Sequence, residues 1–117
     1  MTHPALKTAL KLSAKVAIYV PGTCGVDTAA DTSFMVDRVA AALPTMFGGA
    51  TATAANGFWC SDVAGLVKEN TTIVYAFCAP ADLEKSIGDI VTIAQEIKRE
   101  LKQEAVSIEL DGALYII

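Results

Sequence analysis

Histidine is nearly absent from this chain: its 117 residues hold one, His3, beside three cysteines, one tryptophan and four prolines. His3 lies in an N-terminal stretch where it offers no dependable partner to activate a cysteine. Cys24, Cys60 and Cys78 are odd in number and show no CxxC spacing, so reduced thiols in a cytosolic protein are expected. A disulfide framework is excluded, and paired Cys/His zinc ligands are lacking. Long apolar runs are missing too. No window approaches the roughly 20 residues of a membrane span. In Met1–Ala14, Lys7 and Lys11 interrupt Leu6, Leu10 and Leu12, so the apolar core of a secretory signal is absent. Basic charge is scarce beyond Lys7, Lys11 and Lys15, leaving six basic against 13 acidic groups over residues 16–117. Such a body repels phosphate backbones, so neither nucleic acid nor a membrane is an expected partner.

What is present is apolar: 53 % of the residues, with a mean hydropathy of +0.44 and a net charge of −4. That composition excludes disorder, and the length supports one domain. Twenty of the apolar residues are alanines, which pack closely but bury little surface. The larger ones fall into a pattern. Lys15–Val20 alternates as a strand stopped by Pro21-Gly22. The small and polar residues of Pro21–Ser33 form a long loop. A helix then carries Met35, Val39, Leu43 and Phe47 on one face, capped by Asp31, Thr32 or Ser33, ended or kinked at Pro44 and closed by Gly48-Gly49.

Ala50–Cys60 is a second strand, with a hairpin turn or a bulge at Asn56-Gly57. Ser61–Gly65 is a polar turn, and Leu66–Ala79 is a long strand apolar on both faces. Asp82 is expected to cap a second helix whose stripe is Leu83, Ile87, Ile90, Ala94, Ile97 and Leu101. Glu104–Leu110 is a fourth strand, and Asp111-Gly112 turns it into a terminal strand, Ala113–Ile117. The order β-α-β-β-α-β defines an α+β, ferredoxin-like plait. Its antiparallel sheet carries both helices on one face and a short C-terminal extra strand. Residues 1–14 are expected to form a flexible N-terminal arm and residues 15–117 the single domain.

In such a plait the two inner strands are apolar on both faces. Val16, Ile18 and Val20 oppose Tyr19; Ile73, Tyr75 and Phe77 oppose Val74, Ala76 and Cys78. One set meets the helices, and the other would face water in a monomer. A homodimer closing that face is therefore expected.

Residues that carry chemistry are few. Pro21-Gly22-Thr23-Cys24-Gly25 sits where phosphate loops sit but lacks GxxxxGK[ST], which leaves a flexible connection or a ligand-contacting loop. Asp27 and Asp31 alone make a weak cation site, and no metal or cofactor is expected. Trp59 is core, hairpin cover or a partner anchor. Tyr19 and Tyr75 are either cross-strand packing or two hydroxyls lining a pocket. Tyr19, Thr23, Cys24, Trp59 and Tyr75 are thus the candidate ligand-binding residues, and no catalytic set stands out.

The segments Tyr19-Val20-Pro21, Phe47-Gly48-Gly49-Ala50-Thr51, Gly57-Phe58-Trp59 and Gln103-Glu104-Ala105-Val106 form a pattern over residues 15–117. It resembles small uncharacterised ferredoxin-like proteins of bacteria and their phages or mobile elements, a domain of unknown function. That resemblance implies the fold and a cytosolic setting, and carries over no active-site residue. The leading expectation is a non-enzymatic binding and oligomerisation module that dimerises through its open sheet face and binds a protein or small ligand. Its acidic surface suits a partner with basic patches. The alternative is a small-molecule-binding protein or enzyme of the dimeric α+β barrel type, with a pocket lined by Tyr19, Tyr75 and the 21–33 loop.

Overall fold

The computed structural model describes residues 3–25 and 28–117. Its strands are β1 (Ala14–Pro21), β2 (Thr23–Cys24), β3 (Thr28–Ala29), β4 (Thr51–Ser61), β5 (Gly65–Cys78), β6 (Ser107–Leu110) and β7 (Ala113–Ile116). Its helices are α1 (Ser33–Phe47) and α2 (Pro80–Glu100). Five strands form one antiparallel sheet in the order β4-β5-β1-β6-β7, with β2 and β3 as a separate small ribbon. The architecture is α+β and plait-like. Both helices lie on one face, α1 over β5 and α2 over β1.

Alternation decides which side chains meet the helices. Val16, Ile18 and Val20 of β1, Val74, Ala76 and Cys78 of β5 and Ile108 of β6 form the core with Met35, Val39 and Leu43 of α1 and Ile90, Ala94 and Ile97 of α2. The odd-numbered residues, among them Tyr19, Ile73, Tyr75 and Phe77, point to the open face. Phe77, Leu114 and Ile116 are exposed there. Arg38 of α1 and Glu96 of α2 make an ion pair at 2.5 Å on the outer layer.

Several local expectations are corrected. Asn56-Gly57 is neither turn nor bulge: β4 pairs with β5 without a break from Thr51↔Tyr75 to Ser61↔Gly65. The turn lies at Asp62–Ala64, where the Ser61 hydroxyl accepts from the N–H groups of Val63 and Ala64. Pro44 does not end α1, which runs to Phe47 and stops at Gly48 in the left-handed conformation. Asp82 does not cap α2: Ala79 holds the cap position, and Asp82 lies in the first turn, where a carboxylate still meets the helix dipole favourably. Thr32 holds the cap position of α1 as expected, but its hydroxyl donates to the Pro21 carbonyl instead of capping, while Asp31 accepts from the Ser33 N–H. The 21–33 loop holds the β2–β3 ribbon. The turn at Asp111-Gly112 has positive φ at both residues, as a two-residue hairpin requires.

The β4–β5 hairpin outruns its neighbours. β1 pairs with β5 only as far as Pro21↔Thr71, so Asn56–Ser61 and Gly65–Asn70 continue as a two-stranded ribbon. At its root the Gly22 N–H donates to Asn70 O at 2.7 Å. A Cβ at Gly22 would lie 2.7 Å from that same oxygen, which is why glycine stands there. This approach turns the chain out of β1 and carries Thr23 across to β5.

Candidate functional site

The ribbon root borders a recess of about 420 Å³ on the open face, away from the helices. Tyr19 and Pro21 of β1, Trp59 of β4, Glu69 and Thr71 of β5, the Gln103–Ser107 connection and Ile116 of β7 line it. That volume suits a single small molecule. Register explains the grouping. Gly57↔Glu69 and Trp59↔Val67 are opposed pairs, so Trp59 and Glu69 share the open face; Phe58 has the opposite parity, with Lys68, and still borders the recess from the ribbon. The Lys68 ammonium there sits 5.8 Å from the centre of the Phe58 ring.

Glu69 is the half-buried carboxylate of the recess. Burial pushes its carboxyl above the ordinary glutamate range, and the Thr23 hydroxyl works against that shift. Thr23 Oγ1 lies 3.1 Å from Glu69 Oε2, and Gln103 Nε2 lies 3.3 Å from Thr23 Oγ1. No lysine or arginine among the described residues lines the recess or pairs with Glu69. With Glu104 also on its rim, the recess is electronegative and walled by aromatic and apolar groups. It suits a ligand with positive charge and repels phosphates.

Of the five sequence candidates, Tyr19 and Trp59 line this recess, and Thr23 supports it from below through Glu69. Cys24, half-buried in β2 opposite Thr28, does not line it. Tyr75 is drawn elsewhere. Tyr19 opposes Ile73 and Tyr75 opposes Ala17, so the two tyrosines share a face on a diagonal. Tyr75 lines a second, more open recess of about 500 Å³ with Leu12, Phe47, Gly49, Thr51 and Phe77. Asp27 lies outside the described residues. Hydrogen bonds from the Ser33 hydroxyl and N–H hold Asp31 below the usual carboxylate range, and no metal-binding cluster occurs among the described residues. Cys78 is buried in the core, where burial pushes its thiol up and Asp82 and Asp111 add to the effect.

Sequence reasoning missed Glu69 and Gln103. Glu69 carried a signal: it has the parity of Val67, Thr71, Ile73, Tyr75 and Phe77, a carboxylate in an otherwise uncharged strand face. Gln103 carried none, because its partners lie about 80 residues away.

No family model matches the chain, and no curated protein matches it. Two solved structures share its fold. One is a phage SAM lyase in complex with S-methyl-5′-thioadenosine, at 21 % identity and a TM-score of 0.69, covering 92 % of this chain and 91 % of that one. The other is a phage SAM lyase in its apo state, at 20 % identity and a TM-score of 0.62, covering 90 % and 88 %. Both are phage proteins with a stated activity, which is not the domain of unknown function that the resemblance named. The expectation of a non-enzymatic module is corrected by this finding: the fold, over nine-tenths of the chain, is shared with an enzyme that holds a small ligand.

Proposed function

We propose that this chain is a lyase acting on S-adenosylmethionine (SAM), with the recess around Glu69 as its site and S-methyl-5′-thioadenosine as a product. The observation that carries the reading is Glu69: a half-buried carboxylate with no cation among the described residues, set among aromatic walls. SAM has a sulfonium and an ammonium centre and no phosphate, which matches the recess in sign and in chemistry. Release of the thioether breaks the bond between the sulfonium sulfur and the γ-carbon of the methionyl chain. Sulfur keeps the bonding pair and loses its charge. The remaining four-carbon fragment completes its valence by closing on its own carboxylate or by losing a proton, and no water is consumed. Glu69 orients the cationic substrate by charge, and the apolar walls exclude the water that would solvate the sulfonium.

The test is incubation of the purified protein with SAM, followed by chromatography for S-methyl-5′-thioadenosine. The expected result is its release, strongly slowed in Glu69→Gln. A folded protein that neither consumes SAM nor gains thermal stability from S-methyl-5′-thioadenosine would overturn the reading.

The strand order, read over β1, β4, β5 and β6, supports a ferredoxin-like plait with β7 added at one edge. We take residues 15–117 as its single domain and residues 1–14 as an arm. A second copy of the chain is the partner we propose for the exposed Phe77, Leu114 and Ile116. Light scattering that finds only monomer at micromolar concentration removes that partner. The three free cysteines agree with a cytosolic setting.

A further inference from the structure

The Thr23 hydroxyl has one proton and two acceptors within reach. Gly25 O lies 3.2 Å and Glu69 Oε2 lies 3.1 Å from its Oγ1. One O–H cannot serve both at full strength. The side-chain amide of Gln103 decides between them. Its Nε2 lies 3.1 Å from Gly25 O and 3.3 Å from Thr23 Oγ1, and it also reaches Thr23 O at 3.1 Å and Leu101 O at 3.0 Å. A donor on Gly25 O competes with the hydroxyl for that carbonyl and weakens its pull on the Thr23 proton. A donor aimed at Thr23 Oγ1 turns that oxygen's own proton away from the amide. The amide has two protons for these four oxygens, and in the arrangement that places them on Gly25 O and Thr23 Oγ1 both effects favour donation of the Thr23 proton to Glu69.

We propose that Gln103 is a positioning residue that acts through Thr23, engaging Glu69 Oε2 and leaving Oε1 free for a ligand. The proposal rests on the reading of Glu69 as the carboxylate of the site. Oε1 accepts no hydrogen bond among the described residues, and it faces Gly57, where a Cβ would stand 3.9 Å away. The chain of donors runs from amide to hydroxyl to carboxylate, each polarising the next. Tyr19 of β1 and Glu104 of the α2–β6 connection are the other titratable groups lining the recess. Neither brings a positive charge, so the Thr23 hydroxyl is the group that favours the ionised form of Glu69.

The test is a carbon-13 NMR titration of the Glu69 carboxyl in the ligand-free protein, its signal assigned by its loss in Glu69→Gln. Thr23→Val removes the hydroxyl at nearly constant shape and is expected to move the Glu69 midpoint up. Gln103→Leu is expected to move it in the same direction by less. The double variant is expected to match Thr23→Val alone, because the amide has no route to Glu69 except the hydroxyl. Gln103→Met replaces Gln103→Leu if the branched side chain prevents folding. A Gln103 variant that folds and titrates like the parent, or a double variant whose shift is the sum of the two, overturns the proposal. No substrate enters the measurement. If SAM is not cleaved while the midpoints move as expected, the assigned reaction fails and the positioning role stands.

Discussion

The two ends of the open sheet face are built from the same kinds of residue and differ in one respect. At one end Tyr75 packs edge-on against Phe77, with ring centres 6.1 Å apart, and Glu109 stands beside Lys15 at 3.8 Å. The Lys15 ammonium also sits 5.1 Å from the centre of the Tyr75 ring. At the other end Tyr19 and Trp59 flank Glu69, and no lysine or arginine among the described residues joins them. The first carboxylate has its countercharge from the fold. The second has a hydroxyl and an unused oxygen. Even half-buried, a carboxylate with no cation among the described residues carries a desolvation cost, and such groups concentrate where a ligand supplies the missing charge. The phase of one strand creates the difference: Lys15, Ala17 and Tyr19 share a face, with the lysine at one end and the tyrosine at the other.

The largest expected effect separates the two carboxylates. Glu69→Gln should lower SAM cleavage by about 10²–10³-fold, in the range found when one charge-stabilising group is removed from a site. Glu109→Gln should leave the rate nearly unchanged. Equal losses in a chromatographic rate assay would break the comparison.

A second contrast concerns the glycines at the two recesses. Gly22→Ala places a methyl against Asn70 O and should cost about 1–3 kcal/mol in urea unfolding. Gly49, beside the second recess, has open space around it, and Gly49→Ala should be close to neutral.

Aromatic walls give a smaller effect. Trp59→Leu should weaken SAM binding by about 2–30-fold, the equivalent of about 0.5–2 kcal/mol for a cation over a ring. Phe77→Leu should not change it, and calorimetric titration of both variants sharpens the assignment of ends.

The pH dependence of stability follows from burial of Glu69. Because its folded carboxyl titrates above the unfolded one, the folded state holds the extra proton in the interval between the two values. Stability therefore falls as pH rises through that interval. Glu69→Gln should remove this component of the slope in unfolding curves measured across the acidic range. Smallest of all, Lys15→Met should change stability by no more than about 1 kcal/mol, since the pair it breaks is partly exposed.

Much of the fold was legible because it depends on period. The alternation in Lys15–Val20 and Thr71–Cys78, the helical stripe from Leu83 to Leu101 and the turn signal at Asp111-Gly112 all report local geometry. Local signals also misled. Asn56-Gly57 has the composition of a turn, yet eleven residues of β4 stay in register with β5 through it. Pro44 sits late enough in α1 for the helix to run one more turn to Gly48. The site was legible only in part. Tyr19 and Trp59 were found as isolated aromatics, and Thr23 as a loop residue. Tyr75 was paired with Tyr19 by face, although the register sets them on a diagonal and in different recesses.

The sequence by itself determined which residues alternate, which recur at helical spacing and which strand faces are apolar, because each of these follows from the dihedral period of a single segment. It also determined that no strongly basic surface exists. Only the tertiary structure decided that, among the described residues, Glu109 has a cation and Glu69 has none, and that Gln103 reaches across to Thr23. Those outcomes depend on strand register and on the close approach of Gly22 to Asn70. Both are relations between segments distant in the chain, and no single segment's pattern contains them.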